Sequence, residues 1–369
     1  MSCDDLALLS PEYVRRLSPY VPGKPIEELA REYGIDEDDI VKLASNENPR
    51  GPSPRVREAI ASAAAGVTRY PDGNGFALKT ALSKRYHVPL DQIVLGNGSN
   101  DILELATQAF LRPGDCAVYS EHAFAVYPLA TQARGATGIV VPARELGHDL
   151  AGMRAAITPR TRIVFVANPN NPTGTWVRPE AMRAFISGVP PDVLIVLDEA
   201  YNEYLEPAQQ ADSVAWIAEQ PNLLVSRTFS KAYGLAGLRV GYGIADPTVA
   251  DMLNRVRQPF NVNSIAQAAA IAALADVAYV EESARLNRSG LEQLANGLAG
   301  MGIGFVPSHG NFLLVHVGDG AAVYEQLLRR GVIVRPVANY GLPQHLRVTV
   351  GLAAENQRFL DALRAVLGR

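Results

Sequence analysis

Between residues 91 and 262, short runs of Val, Ile and Leu alternate with stretches whose apolar side chains recur every three or four positions. The runs predict seven strands, at 92–96, 116–120, 138–142, 161–168, 193–198, 222–228 and 239–245. The helical spacing predicts helices near 100–111, 123–134, 149–156, 179–187, 212–219 and 247–257. A strand that is apolar at every position is buried on both faces. The pattern therefore predicts an α/β fold, a mostly parallel seven-stranded sheet covered by helices on both faces. Ligands of such sheets bind beyond the carboxyl ends of the strands, so the polar residues that follow each run carry the interest.

The flanks read differently. Residues 18–25 hold three prolines and a glycine, too many for regular structure, before an amphipathic helix near 26–33. Residues 1–45 are thus expected to form an N-terminal arm that packs on a smaller domain or on a partner subunit. Helices near 54–65 and 75–86 open a large domain spanning 46–262. After 263 the pattern changes to alanine- and leucine-rich helices at 264–275 and 277–300. Strands near 311–316, 332–335 and 345–350 follow, with helices at 321–330 and 353–367. Residues 263–369 are expected to form a smaller α+β domain.

Charge and rare residues narrow the function. A net charge of -4 offers no basic field for nucleic acid. Two cysteines exclude a disulfide framework, and the six histidines include no HExxH pair, so no metal site is expected. The N-terminus is acidic, and no apolar run approaches the ~20 residues that cross a bilayer. A cytoplasmic protein with no membrane partner is expected.

One residue type is conspicuously scarce. The chain has five lysines among its 34 basic residues, and beyond residue 84 the only one is Lys231. Unlike arginine, lysine becomes a nucleophile or base when burial removes its proton. A surface lysine has the same count, so the neighbouring strand ends must decide.

Four strand ends supply a consistent set of groups. Gly96-Asn97-Gly98-Ser99-Asn100 joins a strand to a helix, where small residues and free backbone amides can approach an anion, or where Ser99 simply caps the helix. The dinucleotide fingerprint is not met, because Asp101 stands where the third glycine belongs. Asn170-Asn171-Pro172-Thr173-Gly174 is a tight turn that can fix a carboxamide at a strand end. Asp198 ends a wholly apolar run, so its carboxylate needs a positive partner, and Tyr201 lies just beyond it. Last, Thr228, Ser230, Lys231 and Arg239 bring two hydroxyls, an amine and a fixed cation into one segment.

These groups fit one ligand, a phosphorylated pyridine aldehyde. Lys231 would condense with the aldehyde, Asp198 would hold the ring nitrogen, and Asn171 and Tyr201 the ring hydroxyl. Gly98, Ser99, Asn100, Thr228, Ser230 and Arg239 would hold the phosphate, and Phe124 would lie over the ring.

With these motifs, and with Leu43–Pro49, Arg69-Tyr70-Pro71-Asp72 and Leu346–Gly351, the chain resembles the fold-type-I pyridoxal-phosphate aminotransferases. Within them it is most similar to the branch acting on histidinol phosphate. The resemblance runs from about Leu17 to the end and departs at Phe124, where many members have tyrosine; stacking survives that change, a hydroxyl hydrogen bond does not. It implies pyridoxal 5'-phosphate as cofactor, with histidinol phosphate and the 2-oxoglutarate/glutamate pair as substrates. It also implies a homodimer with shared sites, in which Tyr70 reaches the cofactor phosphate of the other subunit. Arg347 is expected to bind the substrate carboxylate, and Arg335, with Tyr20 and Asn48, the distal phosphate or carboxylate. An aromatic-amino-acid aminotransferase and an amino-acid-phosphate decarboxylase would share the cofactor residues. A regulator that binds the cofactor without turnover would normally carry a DNA-binding module, and none is apparent.

Overall fold

The largely apolar runs form the central sheet of the computed structural model, which describes residues 3–369. Its seven strands lie in the order Ile93–Gly96, Gly241–Ile244, Leu223–Thr228, Leu194–Asp198, Thr161–Ala167, Cys116–Ser120, Thr137–Val141. All neighbours are parallel except Gly241–Ile244, which runs antiparallel to both of its partners. Every residue of Leu194–Asp198 and of Leu223–Thr228 is buried, because helices cover both faces with separate apolar cores. Each core residue removed from water contributes about 1.5–3 kcal/mol, which fixes the strand register and so the position of every strand end.

A second, antiparallel sheet follows in the order Arg335–Pro336, His345–Thr349, Phe312–His316, Phe305–Val306. Helices Val277–Gly300, Gly320–Leu328 and Ala353–Leu367 share its core. The arm helix Ile26–Tyr33 buries Leu29 against Leu328 and Ile333, and Val41–Lys42 adds a parallel strand to Val332–Ile333. Residues 26–42 thus pack on the C-terminal unit, while helix Glu12–Arg15 lies against helix Val126–Ala133 of the large sheet.

Three expectations change. The region 212–219 forms only a 3-10 turn, Ala215–Ala218, because Pro221 follows at once and leaves too few residues for a stable α-helix. The strand at 332–335 is two strands with different partners, one parallel to the arm and one antiparallel to His345–Thr349. Helix Ser264–Leu274, grouped by sequence with the C-terminal unit, packs instead on helices Pro54–Ala64 and Phe76–Tyr86. Its alanines Ala266, Ala269, Ala270 and Ala273 enter the large-sheet core, small side chains that allow close helix approach. Among the described residues no single helix is long and apolar enough to cross a membrane.

Candidate active site

The strand ends meet the C-terminal sheet at a cavity of about 370 Å³. It is bordered by Lys231, Asp198, Tyr201, Asn171, Ser99, Asn100, Phe124, Thr228, Ser230, Arg239, Tyr20, Arg335 and Arg347. Four unconnected strand ends, the arm and the C-terminal sheet therefore converge on one space.

Lys231 follows strand Leu223–Thr228 in a tight turn and donates from Nζ to the Ser45 carbonyl at 3.1 Å. Burial, helped by the cations Arg347 and Arg239, lowers its ammonium from 10.5 to about 8; Glu47 and Asp198 oppose the change. Its ammonium thus gives up the proton just above neutral pH instead of far above it, which makes it a usable base or nucleophile.

Asp198 is the last residue of its strand, and burial raises its carboxyl to about 6. The Tyr127 hydroxyl donates to Asp198 Oδ2 at 2.9 Å and the Ala200 amide to Oδ1 at 3.3 Å, both favouring the carboxylate. Tyr201, three residues further, accepts from Asn46 Nδ2 at 2.8 Å, and its hydroxyl is pushed up to about 12 by burial. It stays a neutral donor. The Lys231 ammonium sits 5.9 Å from the Tyr201 ring centroid.

The anion end is built from backbone. Helix Ser99–Phe110 starts beside the cavity, and its N-cap Gly98 has φ +85°, a left-handed-side conformation that favours glycine. A Cβ there would collide with the Arg239 guanidinium, so glycine lets the arginine lie across the helix N-terminus. Arg239 reaches Ser230 Oγ at 3.4 Å and the Ala236 carbonyl at 3.0 Å. Thr228 Oγ1 accepts from the Ser230 amide at 3.1 Å, which shapes that turn. Free amides, a hydroxyl and a fixed cation make this corner suited to a phosphate.

At the opposite end, Arg347 is buried in the strand His345–Thr349. It donates to Asn171 Oδ1 and to the Ala44 carbonyl, each at 2.6 Å, and its Nε has no partner among the described residues. No carboxylate neutralises it within the described chain, so an anionic ligand in the cavity would gain its attraction. Arg335 donates to the Val21 carbonyl at 2.6 Å and lies over the Tyr20 ring at 5.6 Å, which ties the arm to the cavity mouth.

Asn48 and Tyr70 do not border this chain's cavity; Tyr70 is the residue expected at another subunit's site. The Asn48 amide donates to the Ala232 carbonyl and Ser283 Oγ, and its oxygen accepts from the Arg50 amide. Its side-chain nitrogen thus ties the lysine turn to helix Val277–Gly300, and its oxygen closes its own loop. Asn46 takes the place next to Tyr201, made possible by its φ of +54°. Tyr70 is 83% exposed and stacked on Phe260 at 4.8 Å, away from this chain's own cavity. Ser45 and Glu47 also border the cavity and Tyr127 reaches Asp198, without a signal in the residue order. Ser45 and Glu47 lie in a segment that looks like any polar turn, and Tyr127 looks like a core aromatic; only the packing reveals where their polar atoms point.

The family described as aminotransferase class I and II matches residues 38–363. A histidinol-phosphate aminotransferase of Pseudomonas fluorescens is 62% identical over 370 residues, covering 100% of both chains. Among solved structures, histidinol-phosphate aminotransferase from Sinorhizobium meliloti in complex with pyridoxal-5'-phosphate superposes with a TM-score of 0.89 at 31% identity, covering 97% of each chain. Aspartate aminotransferase from Thermus thermophilus with maleate gives 0.83 at 25% identity, covering 97% of this chain and 99% of its own.

Proposed function

The chain belongs to the aminotransferase class I and II family, and we propose that it transfers the amino group of histidinol phosphate to 2-oxoglutarate, with pyridoxal 5'-phosphate as cofactor. The products are imidazole acetol phosphate and glutamate. The residues present fit that cofactor: an amine brought near neutral pH, a buried carboxylate, and a glycine whose missing Cβ leaves room for a phosphate-binding arginine. When bound, the cofactor supplies an aldehyde for the substrate amine and an electron-withdrawing ring next to the substrate Cα.

Each residue then has a task. Lys231 Nζ takes the proton from the substrate Cα. Asp198 holds a proton on the ring nitrogen, while Asn171 and Tyr201 hydrogen-bond the ring oxygen and Phe124 covers one face. Gly98, Ser99, Asn100, Thr228, Ser230 and Arg239 hold the cofactor phosphate through backbone amides, hydroxyls and one cation. Arg347 binds the carboxylate of glutamate or 2-oxoglutarate. Arg335 and Tyr20 bind the distal anionic group. Tyr70 serves the site of a partner subunit in a cytoplasmic homodimer.

The observation that carries this reading is that two arginines on the C-terminal sheet, Arg347 and Arg335, border the same cavity as Lys231. One amine site can then accept, in turn, a dicarboxylate and a phosphomonoester. Full-length similarity to histidinol-phosphate aminotransferases supports the donor. Steady-state rates with histidinol phosphate, phenylalanine and threonine phosphate test it: histidinol phosphate should have the highest kcat/KM. A higher value for phenylalanine would make this an aromatic aminotransferase.

A further inference from the structure

Asp198 is held from behind the cavity wall. Tyr127 lies in the first turn of helix Val126–Ala133, on a part of the chain remote from the Asp198 strand, and is fully buried. Its ring stacks on Phe165 at 4.7 Å with 7° between planes, and meets the Phe124 ring edge-on at 5.9 Å. Those contacts fix the ring and leave the hydroxyl one partner, Asp198 Oδ2, at 2.9 Å. The titratable groups around this carboxylate are Tyr127, Tyr201, Glu199 and Lys231, with Tyr340 beyond Tyr127. Of these, only Tyr127 gives it a side-chain hydrogen bond. Among the described residues the remaining oxygen has just the longer Ala200 amide contact.

A carboxylate with one oxygen clamped cannot rotate freely, and its other oxygen keeps a single direction. A hydrogen bond to the ionised form also opposes the burial that drives Asp198 toward the neutral acid. Apolar packing alone does not require the hydroxyl, since phenylalanine would fill the same space.

We propose that Tyr127 is a positioning residue for amino transfer, clamping Asp198 Oδ2 so that the carboxylate stays ionised and aimed at the cofactor ring nitrogen. This rests on the cofactor reading given above. Tyr127 touches neither substrate nor cofactor and acts wholly through Asp198.

The test is a pair of binding measurements on the cofactor-free protein. Wild type and Tyr127→Phe are titrated with pyridoxal 5'-phosphate, and with the analogue that has C–H in place of the ring nitrogen. Losing a hydrogen bond to a charged group should weaken binding of the natural cofactor by roughly tenfold or more. Binding of the analogue, which offers Asp198 no ring nitrogen, should be unchanged. Tyr127→Leu, which also lacks the hydroxyl, is the second variant and should show the same selectivity. Equal weakening of both compounds would assign Tyr127 a packing role and overturn the proposal, as would no weakening of either. A wild type that binds neither compound would overturn the cofactor reading, and this inference with it.

Discussion

Replacing Lys231 with methionine should make the cofactor-free protein more stable at pH 7 while abolishing turnover. The ammonium falls from 10.5 to about 8 because burial and two arginines disfavour its charge. At about 1.4 kcal/mol per tenfold change in acidity, keeping it charged in the fold costs at most about 3 kcal/mol at neutral pH. Lys231 borders the cavity, where water recovers part of that cost. The variant also loses the hydrogen bond to the Ser45 carbonyl, worth about 1 kcal/mol. A net gain of about 1–2 kcal/mol remains, roughly 1–3 °C in Tm for a chain of this length. The sign with pH follows from linkage. Below pH 8 Lys231 is charged in both folded and unfolded chains, and the fold bears the full cost. Between 8 and 10.5 the folded protein gives up the proton that the unfolded chain keeps, so wild type gains stability as pH rises. The advantage of Lys231→Met should thus be largest below pH 8 and fade by about 10.5. Calorimetric melting of both cofactor-free proteins across that range is the assay. A variant less stable than wild type at pH 7, or an advantage that grows with pH, would refute a buried, strained amine.

Three other substitutions probe the rest of the cavity. Gly98→Ala forces a side chain into φ +85° and against Arg239, and should weaken binding of pyridoxal 5'-phosphate much more than of phosphate-free pyridoxal; equal effects would place the phosphate elsewhere. Arg347→Lys keeps the charge but loses the planar fork, and should raise KM for glutamate by about 10- to 100-fold; an unchanged KM would remove Arg347 from carboxylate binding. Asp198→Ala should lower kcat by orders of magnitude with the fold intact, and near-normal turnover would reduce the carboxylate to a strand-end polar group.

The large sheet was legible because strands such as 194–198 are buried on both faces and are apolar up to their last residue. Strand ends then follow from strand identity, and with them Asp198, Asn171 and Lys231. Two-residue strands such as Val41–Lys42 and Phe305–Val306 have no period to detect, and exist only because a partner strand is adjacent. The same limit applies in the site. Nothing in Ser45-Asn46-Glu47-Asn48 tells which amide faces the cavity; that depends on the positive φ of Asn46, which turns it toward Tyr201 and leaves Asn48 to the Ala232 carbonyl. Tyr127 reads as one more core aromatic until Asp198 is brought to its hydroxyl by the neighbouring parallel strands. Chemistry that follows from the backbone path is readable from residue order, and chemistry that depends on rotamer and loop conformation is not. Helix Ser264–Leu274 makes the same point, since its alanine content suited either unit and only packing chose between them.

The most direct test of the central claim joins the lysine to the donor. The cofactor-loaded enzyme is treated with borohydride, which fixes the cofactor to its lysine as a stable secondary amine, and the labelled peptide is mapped. The label should fall on Lys231 alone, and prior addition of histidinol phosphate should remove it at concentrations where phenylalanine does not. Label on Lys24, Lys42, Lys79 or Lys84, or a Lys231 label that histidinol phosphate fails to displace, would contradict the account.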